Sequence, residues 1–316
     1  MLGFLNALPG AVSQGLIWGI MAIGVYITYK ILDVADLTVD GSICTGGAVF
    51  VVLFTGGTNL WLALLAAVLA GMLAGLVTGL LHTLCGIPAI LAGILTQLGL
   101  YSVNMAIMGM KATVAINVTN PATLDKLLIS LRFVQDVAKG TRPFYRHPIF
   151  VAGLLTLVII AILYWFFGTE LGCSLRATGS NPNMARAQGI STDLAKVLGL
   201  MISNGLVALS GALLAQYSSA SEINMGRGAI VIGLAAVIIG DVIFGKLFLN
   251  FGLKLLAVSI GAIIYYIVLQ AVLAMGLNAN YLKLLSALVV ALFLSLPYWK
   301  GKYFAKPVKK GGAHHA

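Results

Sequence analysis

The chain is 316 residues long, 60% hydrophobic and only 9% charged, with a mean hydropathy of +1.03 and a formal net charge of +10. A water-facing surface carries roughly 25% charged residues, so a soluble globular domain is excluded and the basic excess is not read as a nucleic-acid footprint. Cys44, Cys85 and Cys173 are scattered, without the spacing of a disulfide framework or a zinc site.

Apolar runs able to cross a hydrocarbon core of about 30 Å recur along the chain. They predict an all-α polytopic membrane protein with about nine crossings, near residues 10–30, 41–56, 60–82, 88–110, 147–168, 196–217, 229–244, 252–275 and 283–299. The first run has no basic residue before Lys30 at its far end, which predicts a retained span rather than a cleaved signal. Asp33, Asp36 and Asp40 follow it. Asp40 is placed to cap the next helix, and solvation is expected for the other two. The crossings after Asp40-Gly41-Ser42 and after Gly226-Arg227-Gly228 are short and run in opposite directions. Short, Gly-interrupted segments at matching places in two halves point to inverted repeats with broken helices near a translocation path.

Residues 111–146 carry six basic and two acidic residues. Leu124, Leu127, Leu128, Leu131 and Val134 recur there at helical spacing, predicting an amphipathic helix on the membrane or on the protein's own outer face. Residues 169–195 form a connecting loop with one definite feature. Asn181 is a good N-cap, Pro182 suits the first helical position, and Gly189 suits a left-handed stop. A two-turn stub is expected, containing Met184 and Arg186, with Ser191-Thr192-Asp193 capping the next span.

Polar residues inside spans mark helix–helix hydrogen bonds or a path. The candidates for the path are Asp40, Ser42, Gln97, Asn104, Asn204 and Asp241, the last near the cytoplasmic interface. Lys300, Lys302, Lys306, Lys309 and Lys310 place the tail, residues 300–316, in the cytoplasm beside anionic lipid. An odd number of crossings then puts the N-terminus and the 111–146 insert outside, and the stub inside. Residues 1–299 are read as one transmembrane domain.

Several stretches together resemble a known family. Leu175-Arg176-Ala177-Thr178-Gly179-Ser180-Asn181-Pro182 with Gly189-Ile190 is similar to the cytoplasmic loop of the branched-chain amino acid/ribose family of ABC-importer permeases. Gly19–Val25, Asp36–Ser42, Gly79–Leu81 with Ile87–Ile90, and Gly233–Gly240 resemble other parts of that family in the same order. The resemblance implies that the stub is a coupling helix, with Asn181, Pro182, Met184, Arg186 and Gly189 at the joint with a cytoplasmic ATP-binding subunit. It also implies a bacterial inner-membrane location, an external solute-binding protein that does most of the selecting, and a second permease copy, expected to be a homodimer. The expected solute is small and polar, an amino acid before a sugar.

The sequence has no GxxxxGK[ST] phosphate loop. The chain is therefore expected to be non-catalytic, with no cofactor or metal of its own and with ATP bound by the partner. An ion-gradient-driven secondary transporter is the alternative. It would need an acidic residue at mid-span, and a channel would not call for a capped stub.

Overall fold

The computed structural model describes residues 2–138, 143–245, 247, 248 and 250–274, together with positions 284, 287, 288, 290–292 and 295. The expected ninth crossing lies outside the described residues apart from those positions, and the basic tail lies wholly outside them.

The first run is α1, Leu2–Tyr26, continued by a π-helical turn over Ile27–Ile31. A largely buried, non-helical passage over residues 32–38 leads into α2, Val39–Thr55. Then come α3, Leu60–Thr83, and α4, Ala89–Ile107. Strand β1, Thr113–Ala115, and helices α5, Pro121–Lys126, and α6, Leu131–Ala138, precede α7, Pro148–Phe167. The second half holds α8, Glu170–Ser180; α9, Pro182–Ala187; α10, Thr192–Ser218; β2, Ala220–Glu222; α11, Ala229–Phe244; and α12, Phe251–Ala274. Among the described residues, six helices (α1, α3, α4, α7, α10 and α12) are long and apolar enough to cross a membrane, and α2 and α11 are shorter apolar helices.

Local chemistry sets many of the starts. Asn59 accepts from the Trp61 N–H at 3.2 Å to open α3, and Asn120 from the Ala122 N–H at 3.1 Å to open α5. His147 Nδ1 accepts from the Ile149 N–H at 3.2 Å to open α7.

α10 forms the axis, packed against α1, α2 and α3, while α1 also backs onto α11 and α12. Small residues permit this closeness: a methyl added at Gly46 would overlap the Ala208 carbonyl, and one at Gly75 the Leu200 carbonyl. With no hydrophobic drive between helices in lipid, such backbone-to-backbone packing holds a bundle together. α1 and α10 are mostly buried, whereas α3, α4 and α7 bury no more than a third of their membrane-crossing stretches. Trp61, Leu65, Leu69 and Leu73 form an exposed apolar row along α3, suited to lipid.

The two strands clip one end of the bundle. β1 pairs antiparallel with β2, from Thr113 opposite Glu222 to Ala115 opposite Ala220. The Ile116 N–H extends the pairing to the Ser219 carbonyl at 2.8 Å. α10 begins just after α9 and ends at β2, so about 40 Å of helix separates the clip from the α8–α9 end.

Two expectations are corrected here. The single amphipathic helix around 124–134 is two helices, α5 and α6, because Leu127 is extended and the Leu128 N–H donates to Gln216 Oε1 at 3.1 Å instead of to a helical carbonyl. Its apolar residues Leu124, Leu127, Ile129 and Phe133 are buried on the protein itself, while Leu131, expected on the apolar face, is half exposed. The stretch 170–180, read as loop, is helix α8.

Candidate functional site

Residues 169–190 build the end of the molecule where α7 turns towards α10. Thr169 opens α8 by accepting from the Gly172 N–H at 3.4 Å. Arg176 ties the helix down: its Nη2 donates to the Phe167 carbonyl at 2.6 Å, and its guanidinium lies 5.8 Å from the centre of the Phe251 ring. Asn181 serves both helices. Its N–H reaches the Ala177 carbonyl at 3.0 Å to close α8, and its Oδ1 accepts from the Met184 N–H at 3.1 Å to open α9. Pro182 occupies the first position of α9, where a missing N–H costs nothing. At the other end Gly189 has φ +80°. The Gly189 N–H bonds to the Arg186 carbonyl at 2.9 Å and the Ile190 N–H to the Ala185 carbonyl at 3.0 Å, the crossed bonds of a Schellman stop.

The faces of α9 differ. Ala185 is buried, while Met184 is 62% exposed. Arg186 turns back on its own chain, with Nε donating to Thr192 Oγ1 at 2.8 Å and Nη2 3.6 Å from Asp193 Oδ1. This corrects the expected cap of α10. Ser191 holds the N-cap position without a side-chain bond, and Thr192 and Asp193 engage Arg186 instead. Behind the stub, Gly179 presses so closely on the end of the π-helical turn that an added methyl would overlap the Ile31 carbonyl.

From Ile31 the buried passage leads to a second polar centre. Asp36, expected to be solvated, is 2% exposed. It accepts from the Thr38 N–H at 2.9 Å and from Asn204 Nδ2 at 2.7 Å. Asn204 Oδ1 in turn accepts from the Ser42 hydroxyl at 2.6 Å. A buried carboxylate requires such partners, and α10 supplies one across the core. Thr38, Thr78 and Thr96 continue the polar chain to α3 and α4, with hydroxyl separations of 2.7 and 2.9 Å.

Asp40 does not cap α2. It lies in the first turn of that helix, and Thr38 sits at the N-cap position without a side-chain cap bond. The Asp40 carboxylate crosses instead to α11, accepting from the Gly228 N–H and the Ile230 N–H, each at 2.9 Å. Cys44 Sγ accepts from the Gly226 N–H at 3.2 Å and donates to the Ile223 carbonyl at 3.2 Å. The N-termini of the two short helices therefore meet. From there α2 runs to Thr55, near the start of α3. α11 runs the other way, to Asp241, where Lys30 Nζ meets Asp241 Oδ2 at 3.3 Å with both side chains about half exposed.

Beside the meeting point lies a cavity of about 300 Å³ whose walls include Asp40, Gln97, Tyr101, Asn104, Asn224 and Arg227. Of the six expected path residues, the structure gathers Asp40, Gln97 and Asn104 at this cavity. Ser42 and Asn204 stand behind it in the buried network, and Asp241 lies at the far end of α11. Sequence reasoning passed over Tyr101, Asn224 and Arg227. Arg227 was the one with a signal: a lone cation between Gly226 and Gly228, immediately before a short apolar helix.

A family model described as the permease component of branched-chain amino acid transport systems matches residues 8–294. The chain is 38% identical to a "Tyrosine transport system permease protein" of Clostridioides difficile (strain R20291), over 92% of this chain and 91% of that protein. It is 36% identical to an uncharacterized protein of Rickettsia prowazekii (strain Madrid E), over 92% of this chain and 97% of that one. A shorter match, 35% identical over 26% of this chain and 27% of the relative, is to a "Nucleoside ABC transporter permease protein" of Lactococcus lactis subsp. cremoris (strain MG1363). Among solved structures, "PsaBC from Streptococcus pneumoniae in complex with Fab" aligns with 84% of this chain and 95% of that chain, at 16% identity and a TM-score of 0.41.

Proposed function

The chain belongs to the family of permease components of branched-chain amino acid transport systems, and from that premise we propose that it forms the membrane path of an amino-acid importer driven by a separate ATPase. The observation that carries this reading is α9, a six-residue helix with a defined cap and stop, an exposed Met184 and a rigid mount on α8. Such a stub can fill a groove on a partner without unfolding, and Met184 gives it an apolar contact of the adaptable kind. Asn181, Pro182 and Gly189 hold its shape. Arg186 pins it to α10 and keeps part of its charge in solvent, where it can also meet the ATPase.

The proposed mechanism follows the connected elements. Closure of the ATPase moves α9 and α8, Gly179 passes the motion to the Ile31 carbonyl, and the 32–38 passage carries it to the junction of α2 and α11. Rocking of the two short helices about that junction opens the cavity at Asp40, Gln97 and Asn104 to one side and then the other. The Lys30–Asp241 pair lies where α11 would open the inner exit. In this reading the stub and the C-terminus are cytoplasmic, the N-terminus and the strand clip face outward, and the membrane is the bacterial inner membrane. Two copies pair with two ATPase subunits, since each copy offers one stub, and an external binding protein delivers the solute. The tyrosine permease of Clostridioides difficile matches over most of both chains, so an amino acid is the first candidate.

Reconstitution into liposomes with the cognate ATPase and binding protein tests this. The expected result is amino-acid uptake that requires ATP hydrolysis and persists when ion gradients are collapsed. Uptake that follows an ion gradient without ATP would instead establish the secondary-transporter alternative.

A further inference from the structure

Two residues that border the cavity at the α2–α11 junction each carry a polar atom that the fold leaves unpaired. Asn104 is 1% exposed. Its Nδ2 points to the Gly41 carbonyl at 3.4 Å, and its Oδ1 is buried without a hydrogen-bond partner. Asn224 Oδ1, on another wall of the same cavity, is likewise buried without a partner. Leaving a buried acceptor unsatisfied is costly, and both of these acceptors belong to residues that border the one cavity. The Asp40 carboxylate lines the same space. Its bonds to the Gly228 and Ile230 N–H groups fix its position, and its negative charge favours a cationic donor. Opposite in sign, Arg227 stands at the exposed rim with no side-chain hydrogen bond or ion pair among the described residues.

We infer that this cavity is a subsite for the zwitterionic head of a free α-amino acid. The ammonium group donates to Asn104 Oδ1 and Asn224 Oδ1 beside the charge of Asp40, and the carboxylate is met by the Arg227 guanidinium. Each half of the head group satisfies something the chain leaves open: the ammonium supplies the missing donors, and the carboxylate supplies the missing counter-ion. A sugar or other neutral solute could donate to the two amides but would leave Arg227 without its anion. Tyr101 and Leu98 border the same space and leave an amphipathic wall for a side chain. A volume of about 300 Å³ is at the small end of ligand pockets, enough for one amino acid and too little for a peptide. The permease thus checks the head group itself, after any selection by an external protein. This assignment rests on the importer reading above.

The test uses the full permease–ATPase complex in lipid nanodiscs, without the binding protein, and reads binding by saturation-transfer NMR. Three probes share one side chain: L-tyrosine, tyramine, which lacks the carboxylate, and 3-(4-hydroxyphenyl)propionate, which lacks the ammonium. L-tyrosine is expected to bind about tenfold or more tightly than either, the loss that follows from one missing charge-assisted contact. Arg227→Gln, at an exposed position, is expected to bring L-tyrosine down to the level of tyramine while leaving tyramine unchanged. Asn104→Leu is expected to bring it towards the des-amino probe. The assignment is overturned if the three probes bind alike, if none binds, or if Arg227→Gln weakens L-tyrosine and tyramine equally. ATP-driven uptake by the same complex with its binding protein separates the two claims. Uptake without head-group discrimination sinks the subsite alone, and absence of ATP-driven uptake of any solute sinks the importer reading.

Discussion

Asp40 acts across the molecule because its own helix does not need it. The Gly41 and Ser42 N–H groups both bond to the Thr38 carbonyl, at 2.9 and 2.8 Å, which leaves the carboxylate free to close the start of α11. That start needs help, since Gly228 at its N-cap has φ +85° and no side chain to offer. Asp40→Ala would leave the Gly228 and Ile230 N–H groups without a side-chain acceptor, at a cost of about 1–3 kcal/mol for each that stays buried. Asp40→Asn keeps one carbonyl oxygen and should lose less. Thermal unfolding of the complex in nanodiscs should therefore rank the parent above Asp40→Asn and Asp40→Ala lowest. Equal midpoints for all three would show that the two bonds do not hold the junction. The same residue shows where sequence reading stops. An Asp before a short apolar helix reads as that helix's own cap, and only the fold reveals a second helix start arriving at the same point from residues 226–230. Asp36 was misread for a related reason: a charge between apolar runs reads as solvated until Asn204, far away in sequence, is seen beside it.

Among the elements, α9 was the most legible because its signals are local. The Asn181–Pro182 start and the Gly189 stop lie within nine residues of one another, and each depends on backbone chemistry alone. The long apolar helices were legible for the same reason, within a few residues at their ends except at the start of α1, which begins at Leu2 and not near residue 10. α8 was missed because its residues, with Gly172, Thr178, Gly179 and Ser180 among them, have weak helix preference. Its order comes from tertiary contacts, including the Arg176 bond to Phe167 and the seat of Gly179 on Ile31. The split between α5 and α6 was hidden likewise, in a bond from Leu128 to distant Gln216. For α9 a sharp test exists. Gly189→Val forces a β-branched residue into a left-handed conformation, costing about 1–2 kcal/mol. Gly189→Asn, which tolerates that region better, should cost less. Membrane insertion should be unchanged in both, while permease-stimulated ATP hydrolysis should fall further for Val than for Asn. If Val and Asn behave like the parent at matched membrane levels, the shape of this stop does not matter to coupling.

At the scale of the whole molecule, the polar features are strung along one route. They run from α9 through Gly179 and Ile31 to Asp36, and then to the paired starts of α2 and α11. The surrounding helices α3, α4 and α7 turn polar residues such as Thr78, Thr96 and Asn104 inward and carry exposed apolar residues on their outer faces, as lipid requires. The proposed coupling depends on which end of this route meets the ATPase. Cross-linking in native membranes decides it most directly. Cys85 and Cys173 are exposed and are first replaced by serine, and a single cysteine is then placed either at Met184 on the stub or at Trp61 at the opposite end, both 62% exposed in the parent. The account predicts that Met184→Cys cross-links to cysteines in the ATPase, with a yield that changes when ATP binds, and that Trp61→Cys does not. Cross-linking of the ATPase to Trp61→Cys and not to Met184→Cys would contradict both the orientation and the role assigned to α9.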